Sequence, residues 1–227
     1  MSQAVNVARY HLVARRTYVA LPWGFLTFLF TVNLVISGAE SSGPNPTKSI
    51  VGFYLVLFVG GVLSIGRSLP FGLSLGVSRR TYLAGTLLLG SALAVVYGLA
   101  LTVLQAIERA TGGWGVSLRF FRVSYILSGP WDRTWLTSSV IIALLFVYGM
   151  WFGLVYLRWN LTGLLGFIAG QILVLLAATL VVAASHAWHG VGHFFTALTA
   201  TGLTGVLAAV TAVLIAGALL TIRRVTI

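Results

Sequence analysis

This 227-residue sequence predicts an all-α, polytopic membrane protein with six transmembrane helices, and three observations carry that expectation. The composition is 59% apolar and 7% charged, with a mean hydropathy of +1.01, against roughly a quarter charged residues in soluble domains. Six uncharged stretches each meet the roughly 17 to 25 residues that a helix needs to cross about 30 Å of hydrocarbon. The 14 basic and 3 acidic side chains all fall between these stretches and none within them. A β-barrel would alternate apolar and polar residues instead.

The whole chain, residues 1–227, reads as one transmembrane domain. Residues 1–17 form an arginine-bearing lead-in, with Val7, Tyr10, His11 and Ala14 at helical spacing and the arginines largely to one side. That pattern predicts a helix lying along the inner membrane surface. The first span, 18–36, opens with Pro22 and Trp23, which suit an interfacial first turn. Its apolar core exceeds the roughly 7 to 15 residues of a signal-peptide core, so the span is expected to be retained. The segment 37–49, with Gly38, Gly43, Pro44 and Pro46, reads as a turn-rich loop. The second span is 50–66 and the third 81–104.

Residues 105–134 begin as a helical extension through Glu108 that stops at Gly112 and Gly113. Trp114, Phe120, Phe121, Tyr125, Trp131 and Trp135 then predict an element at the outer interface, with Arg119 and Arg122 as polar handles. Only Arg158, Trp159 and Asn160 separate the fourth span, 135–157, from the fifth, 161–184, so these helices should be antiparallel neighbours. Gly149 with Gly153, and Gly166 with Gly170, would permit close approach of their backbones. The sixth span is 195–222. Before it, His186, His189 and His193 recur at a spacing that could align them on one helical face for a divalent metal. Trp188, Gly190 and Gly192 should interrupt such a helix, and no acidic residue stands nearby to orient a site. The three are read as interfacial histidines, and no metal site is assigned.

Orientation follows from the basic residues. With the N-terminus inside, the inner segments hold Arg9, Arg15, Arg16, Arg67, Arg79, Arg80, Arg158, Arg223 and Arg224 and no acid. The outer segments hold Lys48, Arg109, Arg119, Arg122 and Arg133, with all three acids, Glu40, Glu108 and Asp132. Nine basic residues against five places both termini in the cytoplasm by the positive-inside rule. Nucleic-acid binding would need the net charge of +11 gathered on one soluble face, which it is not.

One connection stands apart. Between the second and third spans run Arg67, Ser68, Leu69, Pro70, Phe71, Gly72, Leu73, Ser74, Leu75, Gly76, Val77, Ser78, Arg79 and Arg80. The segment is apolar, yet the residues between Arg67 and Arg79 would reach only about 16 Å as a helix, half the hydrocarbon thickness. Ser68 suits an N-cap, Pro70 a first turn and Gly76 a helix end, so a short helix should lie under the membrane. An apolar helix held there between arginines can rest on lipid or meet another protein.

The absence of cysteine excludes disulfides and thiol chemistry. No ionisable residue lies within a span to carry protons. No phosphate-cradling G-x-x-x-x-G-K-[ST] loop is present, since the only lysine, Lys48, follows Thr47 in an outer segment. The acids form no sequence-local pair, so the chain is not expected to be an enzyme by itself. Asn33, Tyr97, Tyr148 and Gln171 are the candidates among the polar residues within spans. They could line a substrate path, but interhelical hydrogen bonding is the expected default.

Leu73-Ser-Leu-Gly-Val-Ser-Arg-Arg80, followed by Tyr82 and Leu83, resembles the segment between spans two and three of the small six-span permeases of type-2, exporter-type ATP-binding-cassette transporters, especially actinobacterial ones. Glu108-Arg-Ala-Thr-Gly-Gly-Trp-Gly115 is similar to an outer-loop stretch of the same family, and the lead-in with Arg15 and Arg16 fits its layout. The resemblance implies a permease subunit in a bacterial inner membrane. Residues 67–80 would be the coupling helix that docks on a separate ATPase, with Arg15 and Arg16 as a secondary contact. Two permease chains, identical or related, and two ATPase chains would make the exporter. ATP and magnesium would be held by the ATPase, and no cofactor is expected in this chain. Many relatives have re-entrant helices between spans five and six, but here 185–194 is short. The rival readings are a non-transporting membrane scaffold and a passive channel.

Overall fold

Long uncharged apolar runs bury their backbone polar groups most cheaply as helices, because lipid offers no hydrogen bonds. The structure, a computed structural model, describes residues 7, 16–39, 50–66, 68–122, 129–197 and 199–221. Among them it is all-helical, with no strand. A π-helical turn, Arg16–Ala20, leads into α1, Leu21–Ala39. There follow α2, Ile50–Gly66; α3, Leu69–Ser74; α4, Arg79–Ala110; α5, Trp131–Ala184; α6, Trp188–Ala197; and α7, Ala200–Thr221. Among the described residues five helical stretches are long and apolar enough to cross a membrane, Thr17–Ala39, Ile50–Ser74, Arg79–Ala110, Trp131–Ala184 and Ala200–Thr221, the second running through α2 and α3.

The 54-residue α5 is not one rod. Asn160 has φ 55° and ψ −156°, outside the helical region. Tyr148 bonds to Gln171, and the rings of Phe152 and Phe167 lie 5.3 Å apart. Residues 148 and 171 would stand about 34 Å apart on a straight helix. The chain therefore reverses at Asn160 into two antiparallel arms, 131–159 and 161–184, as the short Arg158-Trp159-Asn160 connection predicts.

The first arm is the hub. It runs parallel to α2, and glycines bring the two backbones together. A Cβ on Gly149 would sit 2.1 Å from the Phe58 carbonyl oxygen, and one on Gly61 would sit 2.2 Å from the Phe146 carbonyl oxygen. Gly153 faces the Val62 carbonyl and Ile65 in the same way. The other side of the arm meets α4 in antiparallel register, with Gly90 under the Phe146 ring and Gly98 against Ser139. Trp135 Nε1 donates to the Val95 carbonyl there, at 3.2 Å. α7 runs alongside, joined by Thr137 to Thr204 at 2.8 Å and by Trp151 Nε1 to the Leu214 carbonyl at 2.9 Å. α1 lies antiparallel to α2, with Phe25 and Leu29 on Gly52. Phe53, Ile65, Tyr82, Leu83, Ile142, Phe146 and Met150 are fully buried in the core that results.

Several expectations are corrected. Gly149 and Gly153 face α2 rather than the fifth span, and a Cβ on Gly166 or Gly170 would meet nothing within 4 Å. The arms of α5 meet instead through Tyr148, Phe152, Phe167 and Gln171, whose large side chains hold the backbones apart. Trp23 packs on Phe53 and Tyr97 within the bundle. Ser37, Gly38 and Ala39 continue α1 rather than opening a loop. Residues 188–197 form a helix of their own despite Gly190 and Gly192, so the last long helix starts at Ala200 and not at Phe195. The expected loop over 40–49 and, apart from Val7, Arg16 and Thr17, the lead-in lie outside the described residues.

α1, the second arm of α5 and α7 present Phe28, Val35, Leu173, Val174, Leu180, Val181 and Val213 outward. Such a surface is stable where hydrocarbon is the solvent. Thr27, Thr31, Thr179 and Ser185 on these faces each donate their hydroxyl to the carbonyl four residues earlier, which hides it from lipid.

Gly149→Leu should cost at least about 1 to 3 kcal/mol through overpacking against the Phe58 carbonyl, seen as a lowered melting temperature of the detergent-purified protein. Gly166→Leu should leave the melting temperature of the monomer unchanged. Equal effects at the two positions would contradict this helix register.

Candidate functional site

The apolar connection between α2 and α4 folds as its turn residues dictate. Pro70 occupies the first turn of α3, where its missing N–H costs nothing. Gly76, at φ 78°, ends the helix: its N–H donates to the Leu73 carbonyl at 3.0 Å, and the Val77 N–H donates to the Gly72 carbonyl at 3.2 Å. That is the Schellman arrangement, in which glycine takes the left-handed position without penalty. Ser68 departs from expectation. It is in helical conformation, and its side chain makes no capping bond. The functional N-cap is Ser78, whose Oγ accepts from the Thr81 N–H at 3.2 Å to start α4.

Tyr82 fixes α3 in place. Its hydroxyl donates to the Ser64 carbonyl at 2.9 Å, one of the last carbonyls of α2 and so without a partner in its own helix. Its ring lies 2.6 Å from where a Cβ on Gly72 would sit, so only glycine fits there. A single phenol thus ties the end of α2 to α3. Leu69 is fully buried by this arrangement, and Leu73 packs on the core. Phe71 and Leu75 are left outward, 50% and 65% exposed, beside exposed Ser74, Ser78 and Arg80. Arg67, Arg15 and the Arg16 side chain lie outside the described residues.

At the opposite end, the close of α4 repeats the Schellman geometry. Gly112 and Gly113 both have positive φ, and the Gly113 N–H donates to the Glu108 carbonyl at 2.9 Å. Thr111 Oγ1 accepts from the Trp114 N–H at 3.0 Å. The chain then folds over the Glu108 carboxylate, which is 1% exposed. Glu108 Oε2 accepts from the backbone N–H groups of Phe120 and Phe121, each at 2.9 Å, and from Trp114 Nε1 at 3.4 Å. Phe30 of α1 packs on Trp114, Phe120 and Phe121. Of the predicted interfacial aromatics, Trp114, Phe120 and Phe121 thus form a turn-rich cap over the bundle end, Trp131 and Trp135 open α5, and Tyr125 lies outside the described residues. What sequence reading missed is the role of Glu108 as the clamp of this cap. An acid on the last turn of an apolar helix, just before Gly-Gly-Trp, was the available signal.

Three of the four predicted polar residues within the spans bond across the bundle. Tyr97 donates to the Tyr18 carbonyl, linking α4 to the turn before α1, and Tyr148 bonds to Gln171. Asn33 Nδ2 donates to the Leu29 carbonyl of its own helix at 2.7 Å. The structure does not bring the four together at one place. The histidines separate as well. His189 and His193 share α6, but His186, at φ 49°, precedes it as the left-handed residue of a third Schellman turn, with the Ala187 N–H on the Val182 carbonyl at 3.1 Å. Among the described residues no group of three or more His, Cys, Asp or Glu side chains is placed to hold a metal ion.

Replacing Tyr82 with Phe removes the bond to Ser64 and should lower stability by about 1 kcal/mol, read as a reduced melting temperature, while Gly72→Val should cost more because the ring must move. No family model, curated protein or solved structure matches the chain.

Proposed function

We propose that this chain is the transmembrane permease subunit of an ATP-driven exporter, with the helix Leu69–Ser74 as its docking element for a separate ATPase. The observation that carries this reading is the exposure of Phe71 and Leu75 on a short helix whose other face is locked to the bundle by Tyr82. A helix resting on lipid needs no rigid mount. A helix that transmits force from a motor subunit does, because movement at its outer face must reach α2 and α4 without being absorbed locally.

The six stretches, counting the arms of α5 separately, cross the bilayer six times with both termini in the cytoplasm. The charge distribution supports this orientation. At the α3 end stand the described basic residues Arg79, Arg80 and Arg158, whereas Arg109, Arg119, Arg122 and Arg133 share the other end with Glu108 and Asp132. Arg79 and Arg80, immediately beyond α3, complement an acidic rim on the ATPase. Two permease chains, identical or related, enclose the substrate path between them, and the partner ATPases hold ATP and magnesium. The resemblance of residues 73–83 to exporter-type permeases adds support from sequence.

Substituting Phe71 and Leu75 with Glu, or Arg79 and Arg80 with Glu, should reduce co-purification of the ATPase and transport-coupled hydrolysis at least about tenfold. Undiminished coupling in both double variants would reject the docking surface. Topology is checked separately. With no native cysteine, Ser74→Cys should be protected from an impermeant thiol reagent outside intact cells and Ser117→Cys should be labelled; the reverse pattern would invert the orientation.

A further inference from the structure

The Glu108 clamp has a consequence for the side chains that flank it. Glu108 Oε2 holds the Phe120 and Phe121 N–H groups, and both rings are buried. The residues on either side, Arg119 and Arg122, are exposed as a result. Both line one cleft of about 310 Å³, together with Glu108, Gly112, Gly113 and Ser117. Neither guanidinium has an ion-pair or hydrogen-bond partner among the described residues. Two unpaired cations directed into one polar cleft repel each other, and that arrangement is relieved by an anion.

Glu108 does not supply that anion to either arginine. One carboxylate oxygen is occupied by three N–H donors, and the other is enclosed and unpartnered. The described lining residues carry two arginines against one glutamate, a surplus of one positive charge that suits a singly charged phosphodiester. The height of the cleft points the same way. Arg109, next to Glu108, donates to the Gly129 carbonyl at 3.1 Å, two residues before exposed Trp131. The cleft is therefore level with the tryptophans that open α5, where a bilayer presents its headgroups.

We infer that the cleft between Arg119 and Arg122 binds the phosphodiester of an outer-leaflet phospholipid, each guanidinium donating to a phosphate oxygen and the Ser117 hydroxyl lying within the same cleft. A soluble phosphodiester would offer the same chemistry, so the test separates the two sources. This inference depends on the membrane location and the proposed orientation of the chain, and not on the docking role of α3.

The test measures binding of dioctanoyl phosphatidylglycerol, glycerophosphoglycerol and dioctanoylglycerol to the full-length purified protein in detergent. The wild-type chain should bind the phospholipid at least about tenfold more tightly than dioctanoylglycerol, and Arg119→Gln with Arg122→Gln should abolish that preference. Arg158→Gln, at the other end of the bundle, should keep it. Glycerophosphoglycerol binding as tightly as the lipid, and lost in the same double variant, would support the phosphate site and assign it to a soluble ligand. Much weaker binding of that solute would assign it to the membrane. Equal binding of phospholipid and dioctanoylglycerol by the wild-type chain overturns the proposal, as does an undiminished preference in the double variant. Because both arginines are exposed, the double variant should melt with the wild type. Should it not fold, the comparison of the three ligands on the wild-type chain decides the matter.

Discussion

Everything in this bundle is positioned by the contact of two backbones. Gly61 of α2 and Gly149 of α5 each point a hydrogen, where other residues carry a Cβ, at a carbonyl oxygen of the facing helix. That is the geometry of Cα–H···O contacts, each worth about half a kcal/mol or more. In lipid the hydrophobic effect does not hold helices together, so dense packing and such contacts must. Once α2 and the first arm of α5 are in register, Phe146 falls on Gly90 and Ser139 on Gly98, which sets α4. The placement of α4 in turn brings Tyr82 under the end of α2, and α3 is fixed as a result.

The polar groups follow a consistent pattern. Tyr82, Tyr97, Trp135 and Trp151 each donate to a backbone carbonyl of another element. An aromatic with one polar atom suits this task, because the ring contributes packing while the O–H or N–H reaches a carbonyl that would otherwise face hydrocarbon or a helix end. These bonds join α2 with α4, α4 with the turn before α1, α5 with α4, and α5 with α7. The polar residues expected to mark a substrate path therefore include structural ties.

How much of this was legible in the sequence depends on the range of the cause. Helix existence followed from long uncharged runs, and the ends at Gly76 and Gly112 followed from glycine at a left-handed position. The reversal at Asn160 followed from the shortness of the connection. Partner choice between helices did not. Gly149-x-x-x-Gly153 and Gly166-x-x-x-Gly170 look alike, yet one pair meets a backbone and the other meets nothing, because a small-residue pair specifies closeness without specifying to what. Helix α6 was missed because Gly190 and Gly192 weigh against a helix locally, at about 1 kcal/mol each, and tertiary context overrides such a penalty. Ser68 was the expected cap, but the serine that caps a helix is Ser78. Only the backbone angle, helical at Ser68 and extended at Ser78, distinguishes them.

The two sides of the hub differ in a way that bears on motion. Toward α2 and α4 the first arm of α5 is held by direct backbone approach and by buried rings, and nothing there can slide without a clash. Toward its second arm and α7 it is held by side chains at longer reach: Tyr148, Phe152 and Phe167 on one side, Thr137, Thr204 and Trp151 on the other. Packed side chains can change rotamer and re-pack across a small shear, whereas a carbonyl lying where a Cβ would be cannot yield. A push delivered to Phe71 and Leu75 would therefore move α3, α2, α4 and the first arm as one body. The second arm and α7, whose outer faces are exposed, would adjust against it. If a second chain binds those faces, a rigid displacement at α3 becomes a change in the interface between chains, with Tyr82 as the side chain through which it passes.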